Sequence, residues 1–190
     1  WSVKDGAITG ATTKENPTQG NTFLIWKDGQ LDDFELRLEF KIVGGNSGIQ
    51  YRSKDLGNWV VGGYQADFEA GDTYSGINYE ERGRGILCQR GEKVVIEKDG
   101  TKQAERVTES KKLQDAIKKE DWNSYIISAQ GNHLVHKING NVTADVTDHQ
   151  AEKRSMSGIL ALQLHAGPPM TVQFKNIRLK RVKLADNRRK

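Results

Sequence analysis

Alternation of apolar and polar side chains dominates this sequence. Between residues 33 and 43, apolar side chains occupy every second position and charged ones lie between them: Phe34, Leu36, Leu38, Phe40 and Ile42 alternate with Glu35, Arg37, Glu39 and Lys41. Successive side chains of a β-strand point to opposite faces of the sheet, so this segment predicts a strand with one buried and one hydrated face. Residues 157–165 repeat the pattern, with Gln163 and His165 on the face opposite to the leucines.

Turn signals separate many other short strands. Asn139-Gly140 lies between two alternating runs and predicts a tight hairpin, because both residues tolerate positive φ. Asp99-Gly100 is a second turn of this kind. In the last strand the apolar positions slip by one residue, which predicts a bulge near Lys175-Asn176. Further strands are predicted at 7–11, 22–26, 47–52, 63–69, 75–80, 85–90, 93–98, 101–107, 123–130, 133–138, 141–147 and 171–181.

The helical pattern is confined to residues 109–120, where Leu113 and Ile117 are spaced by four. So many strands with one short helix favour an all-β fold in which two antiparallel sheets pack face to face. We predict that residues 1–182 form this single β-sandwich domain. Residues 183–190 end in Arg188-Arg189-Lys190 and are predicted to form a basic tail or linker stub.

Charge and composition exclude several partners. The chain of 190 residues has 29 basic and 25 acidic side chains, a formal net charge of only +4. No basic stripe is interleaved with aromatic residues, so we expect no nucleic-acid partner. No apolar run approaches the ~20 residues that cross a bilayer, so we expect no membrane insertion. The one cysteine, Cys88, excludes an internal disulfide and is interpreted as a small buried strand residue.

Three polar residues share one face of a predicted strand. Gln65, Asp67 and Glu69 alternate with Ala66 and Phe68. The pattern resembles the Glu-x-Asp-x-Glu strand of laminarinase-type glycoside hydrolases, with Gln65 in place of the first Glu. An amide cannot replace a carboxylate nucleophile, and retaining hydrolysis needs two carboxyl groups about 5–5.5 Å apart. The substitution therefore argues against ordinary retaining hydrolysis, and a merely hydrated strand face is the alternative.

Two arginines lie near polar residues that suit a binding site. If Tyr51 faces the core, Arg52 faces the outer surface, where its fork of donors suits a ketone, an enolate or vicinal hydroxyls. A surface ion pair is the alternative for Arg52. Glu80 and Arg84 flank a glycine-containing turn, which is either a binding loop or a charged hairpin turn. Glu80, at the end of its predicted strand, is expected to be the inward member.

Two histidines are candidates for chemistry. His165 follows a strand and adjoins the Gly167-Pro168-Pro169 break, where functional residues often gather. His136 is either a second site residue or a satisfied core histidine. The spacing of the four histidines does not support zinc, so no metal is expected, with calcium or magnesium near Asp67 left as an alternative. Aromatic residues that could stack on a sugar are Trp59, which is the best exposed candidate, Trp122, Tyr64, Tyr74 and Tyr79.

An ordered set of segments resembles one known family, the 3-keto-disaccharide hydrolases. The resemblance runs from Trp1 to about Leu179 and implies a concanavalin A-like jelly-roll sandwich that is usually exported, so a periplasmic or extracellular location is expected. It implies a carbohydrate ligand, and further domains of a longer protein are possible partners. The segments are WSVKDGAITG (1–10), NSGIQYRS (46–53), GYQADFEAG (63–71), RGILC (84–88), DWNSYIISAQGNHLVHKING (121–140) and SGILALQLHAGPPMTVQFKNIRL (157–179).

The resemblance implies activity on glycosides whose C3 hydroxyl is oxidised to a ketone. Such a ketone acidifies the C2 proton, and its removal allows the C1–O bond to break by elimination, after which water adds. His165 or Asp67 is the expected base, with Arg52 and Gln163 as donors to the carbonyl or enolate. The expected substrate-binding residues are Gln65, Gln163, Glu80, Arg84, Trp59 and His136. The alternatives are a non-catalytic carbohydrate-binding module and conventional hydrolysis by Glu69 and Glu80.

Overall fold

Buried and exposed side chains alternate along most strands of this structure, a computed structural model that describes residues 1–182. Fifteen strands and one helix make up this part of the chain. In chain order they are β1 (Ser2–Lys4), β2 (Ala7–Thr12), β3 (Thr22–Ile25), β4 (Phe34–Val43), β5 (Asn46–Gly57), β6 (Val60–Glu69), β7 (Asn78–Glu81), β8 (Gly85–Cys88), β9 (Glu92–Ile96), β10 (Lys102–Arg106), α1 (Ser110–Asp115), β11 (Asn123–Gln130), β12 (His133–Ile138), β13 (Asn141–Asp148), β14 (Ile159–Leu164) and β15 (Met170–Arg181).

The strands form two sheets, as predicted for a sandwich. The nine-stranded sheet has the order β1-β2-β15-β4-β11-β12-β13-β9-β10, and the six-stranded sheet has the order β3-β14-β5-β6-β7-β8. The expectation of purely antiparallel sheets is wrong at one place, because β13 and β9 pair in parallel. The long connection from β9 to β13, which contains β10, α1, β11 and β12, makes a parallel pair possible there.

The core lies between the two sheets. The apolar side chains of β4 are buried, while its charged side chains point outward. From the six-stranded sheet, Tyr64, Ala66 and Phe68 of β6 face the same core. Phe40 packs on Phe68 across the sandwich with ring centroids 4.1 Å apart. Burial of each such side chain stabilises the fold by roughly 1.5–3 kcal/mol relative to exposure.

Local backbone features follow the turn chemistry of the sequence. The hairpin at Asn139-Gly140 is confirmed, with φ of 49° and 82°. The predicted bulge is confirmed as a register shift between Lys175 and Arg178. β7 starts at Asn78, three residues later than predicted, because Gly76 adopts a turn conformation with φ of 86°. Residues 183–190, predicted as a basic tail, lie outside the described residues.

The helix is shorter than its sequence pattern. α1 has six residues and ends before Ile117, and Leu113 is its one buried residue. Short helices gain most of their stability from tertiary packing, so a single buried anchor limits the length. Within residues 1–182, no helix is long and apolar enough to span a bilayer.

Candidate functional site

A cavity of about 390 Å³ opens on the face of the six-stranded sheet that points away from the core. Tyr64, Ala66 and Phe68 face inward, so the intervening side chains of β6 point outward into the cavity. Pockets of this volume are common for small ligands. The lining residues are Asn21, Asn46, Gln65, Asp67, Glu69, Tyr74, Ile77, Tyr79, Glu81, Ile86 and His165.

A ladder of amide groups leads to the carboxylate of Asp67. The Nε2 atoms of Gln50 and Gln163 donate to Gln65 Oε1 at 2.7 and 3.1 Å. Gln65 Nε2 in turn donates to Asp67 Oδ2 at 3.1 Å, and Asn46 Nδ2 donates to Asp67 Oδ1 at 2.7 Å. Because two donors meet Gln65 Oε1, the orientation of this amide is fixed and its NH₂ group points at Asp67. The ladder therefore holds Asp67 in one position.

A glycine makes the ladder possible. Gly48 lies beside Asp67 in the pairing of β5 with β6. A Cβ atom at Gly48 would lie 2.4 Å from Gln65 Cδ, which is far inside van der Waals contact. The missing side chain therefore lets the amide of Gln65 lie across β5 and reach its partners.

The carboxyl group of Asp67 is buried, and this changes its titration. Burial raises the pKa of Asp67 from 3.8 to about 7. The bonds from Asn46 and Gln65 oppose this rise, while the charges of Glu69 and Glu81 add to it. A carboxyl group with a pKa near 7 is partly protonated at neutral pH, so it can donate as well as accept a proton.

Two more carboxylates face the cavity. Glu69 Oε1 accepts hydrogen bonds from the backbone N–H groups of Thr73 and Tyr74, which fixes the loop that carries Tyr74. Glu81 Oε2 lies 3.4 Å from Gln163 Nε2. Within residues 1–182, no lysine or arginine lines the cavity. The cavity is therefore acidic when His165 is neutral.

His165 lies just beyond the end of β14, and its ring is half-buried at the cavity. Its Nδ1 atom contacts the backbone carbonyl oxygen of Ala166, which can only accept a hydrogen bond. In the neutral ring, Nδ1 therefore carries the proton and Nε2 carries the lone pair. This tautomer makes Nε2 the basic atom of the ring.

Aromatic rings border the cavity on one side. Tyr74 is 44% exposed at the tip of its loop, and Tyr79 lies on β7. Burial and the nearby charges of Glu81 and Asp67 raise the pKa of Tyr79, so its hydroxyl stays protonated. A pyranose has apolar C–H faces that pack on such rings.

Several predicted site residues meet at this cavity. Gln65, Asp67 and His165 line it, as predicted from their positions on the outer faces of their strands. Gln163 lies fully buried beside them and bonds to Gln65 and Glu81. The sugar-stacking candidates Tyr74 and Tyr79 also line the cavity.

The prediction for Arg52 is wrong. A bulge between Tyr51 and Lys54 interrupts the alternation of β5, and Arg52 adopts a φ of 46°. Its side chain turns inward and is fully buried, with Nη2 2.8 Å from Asp33 Oδ1. It also donates to the carbonyl oxygens of Asp32 and Gly131. Arg52 thus links loops inside the sandwich and cannot bind a ligand in this cavity.

The prediction for Glu80 and Arg84 as part of this site is also wrong. β7 extends to Glu81, so Tyr79 and Glu81 face the cavity and Glu80 faces the opposite side. Glu80 bonds to Arg84 at 2.7 Å, and Arg84 bonds to the buried carboxylate of Asp148 at 2.7 Å. The proposed acid pair of Glu69 and Glu80 therefore does not share a cleft.

The remaining candidates also lie away from the cavity. Trp59 is 63% exposed, as expected, but sits in the hairpin between β5 and β6. His136 is a core residue with Nε2 2.9 Å from the hydroxyl of Tyr51, and burial lowers its pKa to about 4. Trp122 contacts Lys175, whose Nζ is 3.9 Å from the ring centroid. Tyr64 donates to Asp148 inside the fold, and Cys88 is buried as predicted.

Sequence reasoning missed three polar residues of the cavity. Glu81 could have been found, because it shares parity with Tyr79 once the strand is continued by one residue. Asn46 pairs with Glu69 at the start of β5, but the sequence around Asn46 does not predict this strand pairing. Asn21 belongs to the turn before β3 and accepts a bond from the backbone of Ala166. Among residues 1–182, no group of three or more His, Cys, Asp or Glu side chains is arranged to hold a metal ion.

The comparisons with known proteins agree with this fold. The model of the 3-keto-alpha-glucoside-1,2-lyase-like domain matches residues 1–180. The chain belongs to this family. A comparison with curated protein sequences finds no significant match.

Solved structures of similar shape share little sequence. One is a protein from Parabacteroides distasonis, provisionally named a glycosyl hydrolase, with a TM-score of 0.62 and 18% identity over 96% of this chain and 90% of that one. Another is the carbohydrate-binding module CBM66 from Bacillus subtilis, with a TM-score of 0.58 and 14% identity over 92% and 95%. A third, from Bacillus subtilis and described as galectin-like, has a TM-score of 0.56 and 9% identity over 94% and 90%. At these identities the likeness establishes the jelly-roll fold alone.

Asn46→Ala is expected to raise the pKa of Asp67. The substitution removes a hydrogen bond that stabilises the ionised carboxylate, and such a bond to a charged group is worth about 1.5–3 kcal/mol. Titration of Asp67 by NMR would measure the shift. Asn21→Ala is the matched control, since Asn21 lines the same cavity but bonds to Ala166. An unchanged or lowered pKa in Asn46→Ala would contradict this account of Asp67.

Proposed function

We propose that this protein cleaves 3-keto-glycosides by elimination across C1 and C2. The observation that carries the proposal is a buried carboxyl group, Asp67, whose pKa is about 7, in the same cavity as a histidine with a defined basic nitrogen. A proton donor and a proton acceptor therefore occupy one site at neutral pH. Membership of the 3-keto-alpha-glucoside-1,2-lyase-like family supports the choice of substrate.

His165 is assigned as the base. Nε2 removes the proton from C2, which is acidic because C3 is a ketone. The electron pair of the C2–H bond first forms a C2=C3 double bond, which places negative charge on the C3 oxygen as an enolate. When the carbonyl re-forms, this pair becomes the C1=C2 double bond, and the C1–O bond breaks with its electrons on the leaving oxygen. The imidazolium then returns the proton to that oxygen, so the histidine ends the step neutral. The products are an unsaturated 3-keto sugar and the free aglycone, and addition of water across C1=C2 completes a net hydrolysis.

Asp67 is assigned as the donor to the C3 oxygen. Negative charge grows on that oxygen as the C2 proton leaves, and no lysine or arginine of the described residues lines the cavity to neutralise it. A buried carboxyl that remains protonated can donate a hydrogen bond to the developing enolate. The amide ladder from Gln50 and Gln163 through Gln65 fixes the position of this donor.

The proposal predicts selective release of aglycone. Purified protein is incubated with aryl 3-keto-glucosides and with the matching unoxidised glucosides, and the released phenol is measured. We expect release from the keto substrates alone, because no side chain can remove the C2 proton without the ketone. Equal release from both sets would instead indicate direct hydrolysis. Binding of both sets without any release would favour a carbohydrate-binding module, for which Tyr74 and Tyr79 supply the stacking surface.

A further inference from the structure

The charges around the cavity are unbalanced. Three carboxyl groups line it, from Asp67, Glu69 and Glu81, and among residues 1–182 no lysine or arginine lines it. Arg90 lies beneath the loop that carries Tyr74, where its guanidinium donates to the carbonyl oxygens of Asp72, Thr73 and Ser75. The lysines and arginines near Glu81 line a neighbouring cavity that Glu81 also borders. Arg90 is thus occupied by backbone and does not line the cavity. Among the lining residues of the described part of the chain, His165 is the one with a basic side chain.

The three carboxylates are not equivalent. Asp67 is held by Asn46 and Gln65, and Glu69 is held by two backbone N–H groups of its loop. Glu81 has only the long contact of 3.4 Å with Gln163 Nε2. It is therefore the carboxylate with most acceptor capacity left for a ligand.

A second observation indicates what the ligand supplies. Gln163 is fully buried and its Nε2 contacts both Gln65 and Glu81, but its Oε1 atom has no hydrogen-bond donor. A buried acceptor without a donor is unfavourable. The acceptors around Glu81 thus exceed the donors, and a ligand that donates an O–H or N–H group to Glu81 would reduce this imbalance.

We propose that the cavity selects glycosides by charge, with Glu81 as the specificity-determining residue. It accepts neutral glycosides, prefers those whose aglycone carries a protonated amine, and rejects those that carry a carboxylate, sulfate or phosphate. This inference rests on the proposed function only in taking the ligand to be a glycoside. The reason is Coulombic: a carboxylate partly shielded from water attracts an ammonium group and repels an anion.

Binding of unoxidised glucosides tests this selection without catalysis. Three aryl glucosides that differ at one position, as 4-aminomethylphenyl, 4-hydroxymethylphenyl and 4-carboxyphenyl glucosides, are titrated by calorimetry. We expect affinity to fall in that order, with about tenfold or more between the cationic and anionic ligands at low salt. The difference should shrink as sodium chloride is raised from about 10 mM to about 150 mM, because the Debye length shortens.

A pair of variants assigns the effect to its residue. Glu81→Gln should reduce the cation-to-anion affinity ratio by at least about threefold, whereas Glu105→Gln, the same change on the exposed strand β10, should leave the ratio unaltered. Equal affinities for the three ligands, or a ratio insensitive to Glu81→Gln, would overturn the inference.

The same ligands separate this inference from the proposed function. Ordered binding without turnover of the keto forms would refute the elimination and leave charge selection intact. Turnover of all three keto forms with equal kcat/KM would refute charge selection and leave the elimination intact. No binding of any ligand together with no turnover would overturn both.

Discussion

His165→Ala is expected to lower kcat on 3-keto-glucosides by about 10²–10⁴-fold, the usual effect of removing a general base. The ring lies at the cavity with Nδ1 committed to the carbonyl oxygen of Ala166, so Nε2 is the atom that can accept the C2 proton. Aglycone release under saturating substrate measures kcat. Added imidazole should restore part of the rate, because it supplies the missing base in the space that the side chain leaves.

His149→Ala is the matched control for this substitution. His149 is exposed and its Nδ1 lies 3.3 Å from Asn132 Nδ2, away from the cavity lining. Its removal should leave kcat within about twofold of the wild-type value, as expected for most surface substitutions. If His165→Ala retained a similar rate, His165 could not be the base.

Asp67→Asn is expected to remove the pH dependence that Asp67 imposes on the reaction. In the wild-type protein kcat should fall as pH rises through about 7, because the ionised carboxylate can no longer donate to the C3 oxygen. The asparagine amide can donate at every pH but is a weaker acid, so kcat should fall about 10²–10³-fold. The decrease of kcat above pH 7 should also disappear in this variant. A fall of kcat above pH 7 that persists unchanged in Asp67→Asn would show that another group causes it and that Asp67 is not the donor.

The same substitution is expected to raise the stability of the fold, although it lowers activity. The folded-state pKa of Asp67 is raised from 3.8 to about 7, so its contribution to stability is complete below about pH 4 and is lost as pH rises through about 7. The loss is at most about 4 kcal/mol, at 1.36 kcal/mol for each pKa unit. Asp67→Asn should therefore gain stability relative to the wild type between pH 5 and pH 8.5.

Urea unfolding at those two pH values measures this difference. The variant loses the hydrogen bond that Gln65 donates to the carboxyl group, which is worth about 1 kcal/mol. The change in the stability difference between the two pH values is therefore the informative quantity. A difference between variant and wild type that is the same at both pH values would mean that Asp67 is not destabilised by burial. An activity loss accompanied by this stability gain would identify Asp67 as a residue kept for function.

The fold was predictable because period-two patterning is a local property of the chain. The residues of β4 determine which of their side chains are buried, whatever else surrounds them. The same rule correctly placed Gln65, Asp67 and His165 at one surface, because their strands are regular up to those positions.

The errors arose where the backbone departs from regularity. Arg52 was assigned by extrapolating the alternation of β5, and the bulge at that residue reverses the direction of the side chain. Glu80 was assigned because it ended its predicted strand, but the strand continues to Glu81, and Glu81 rather than Glu80 lies on the same face as Tyr79. Asn46 and Asn21 reach the cavity through pairings distant in sequence, which no local pattern encodes.

The fate of the C2 hydrogen tests the central claim most directly. A 3-keto-glucoside that carries deuterium at C2 is incubated with the protein, and the sugar product is analysed by NMR at early times, with His165→Ala as the measure of spontaneous exchange. The elimination predicts that deuterium leaves C2 at the rate of aglycone release and that kcat falls relative to the unlabelled substrate. Release of aglycone with deuterium retained at C2 and no isotope effect would contradict the account.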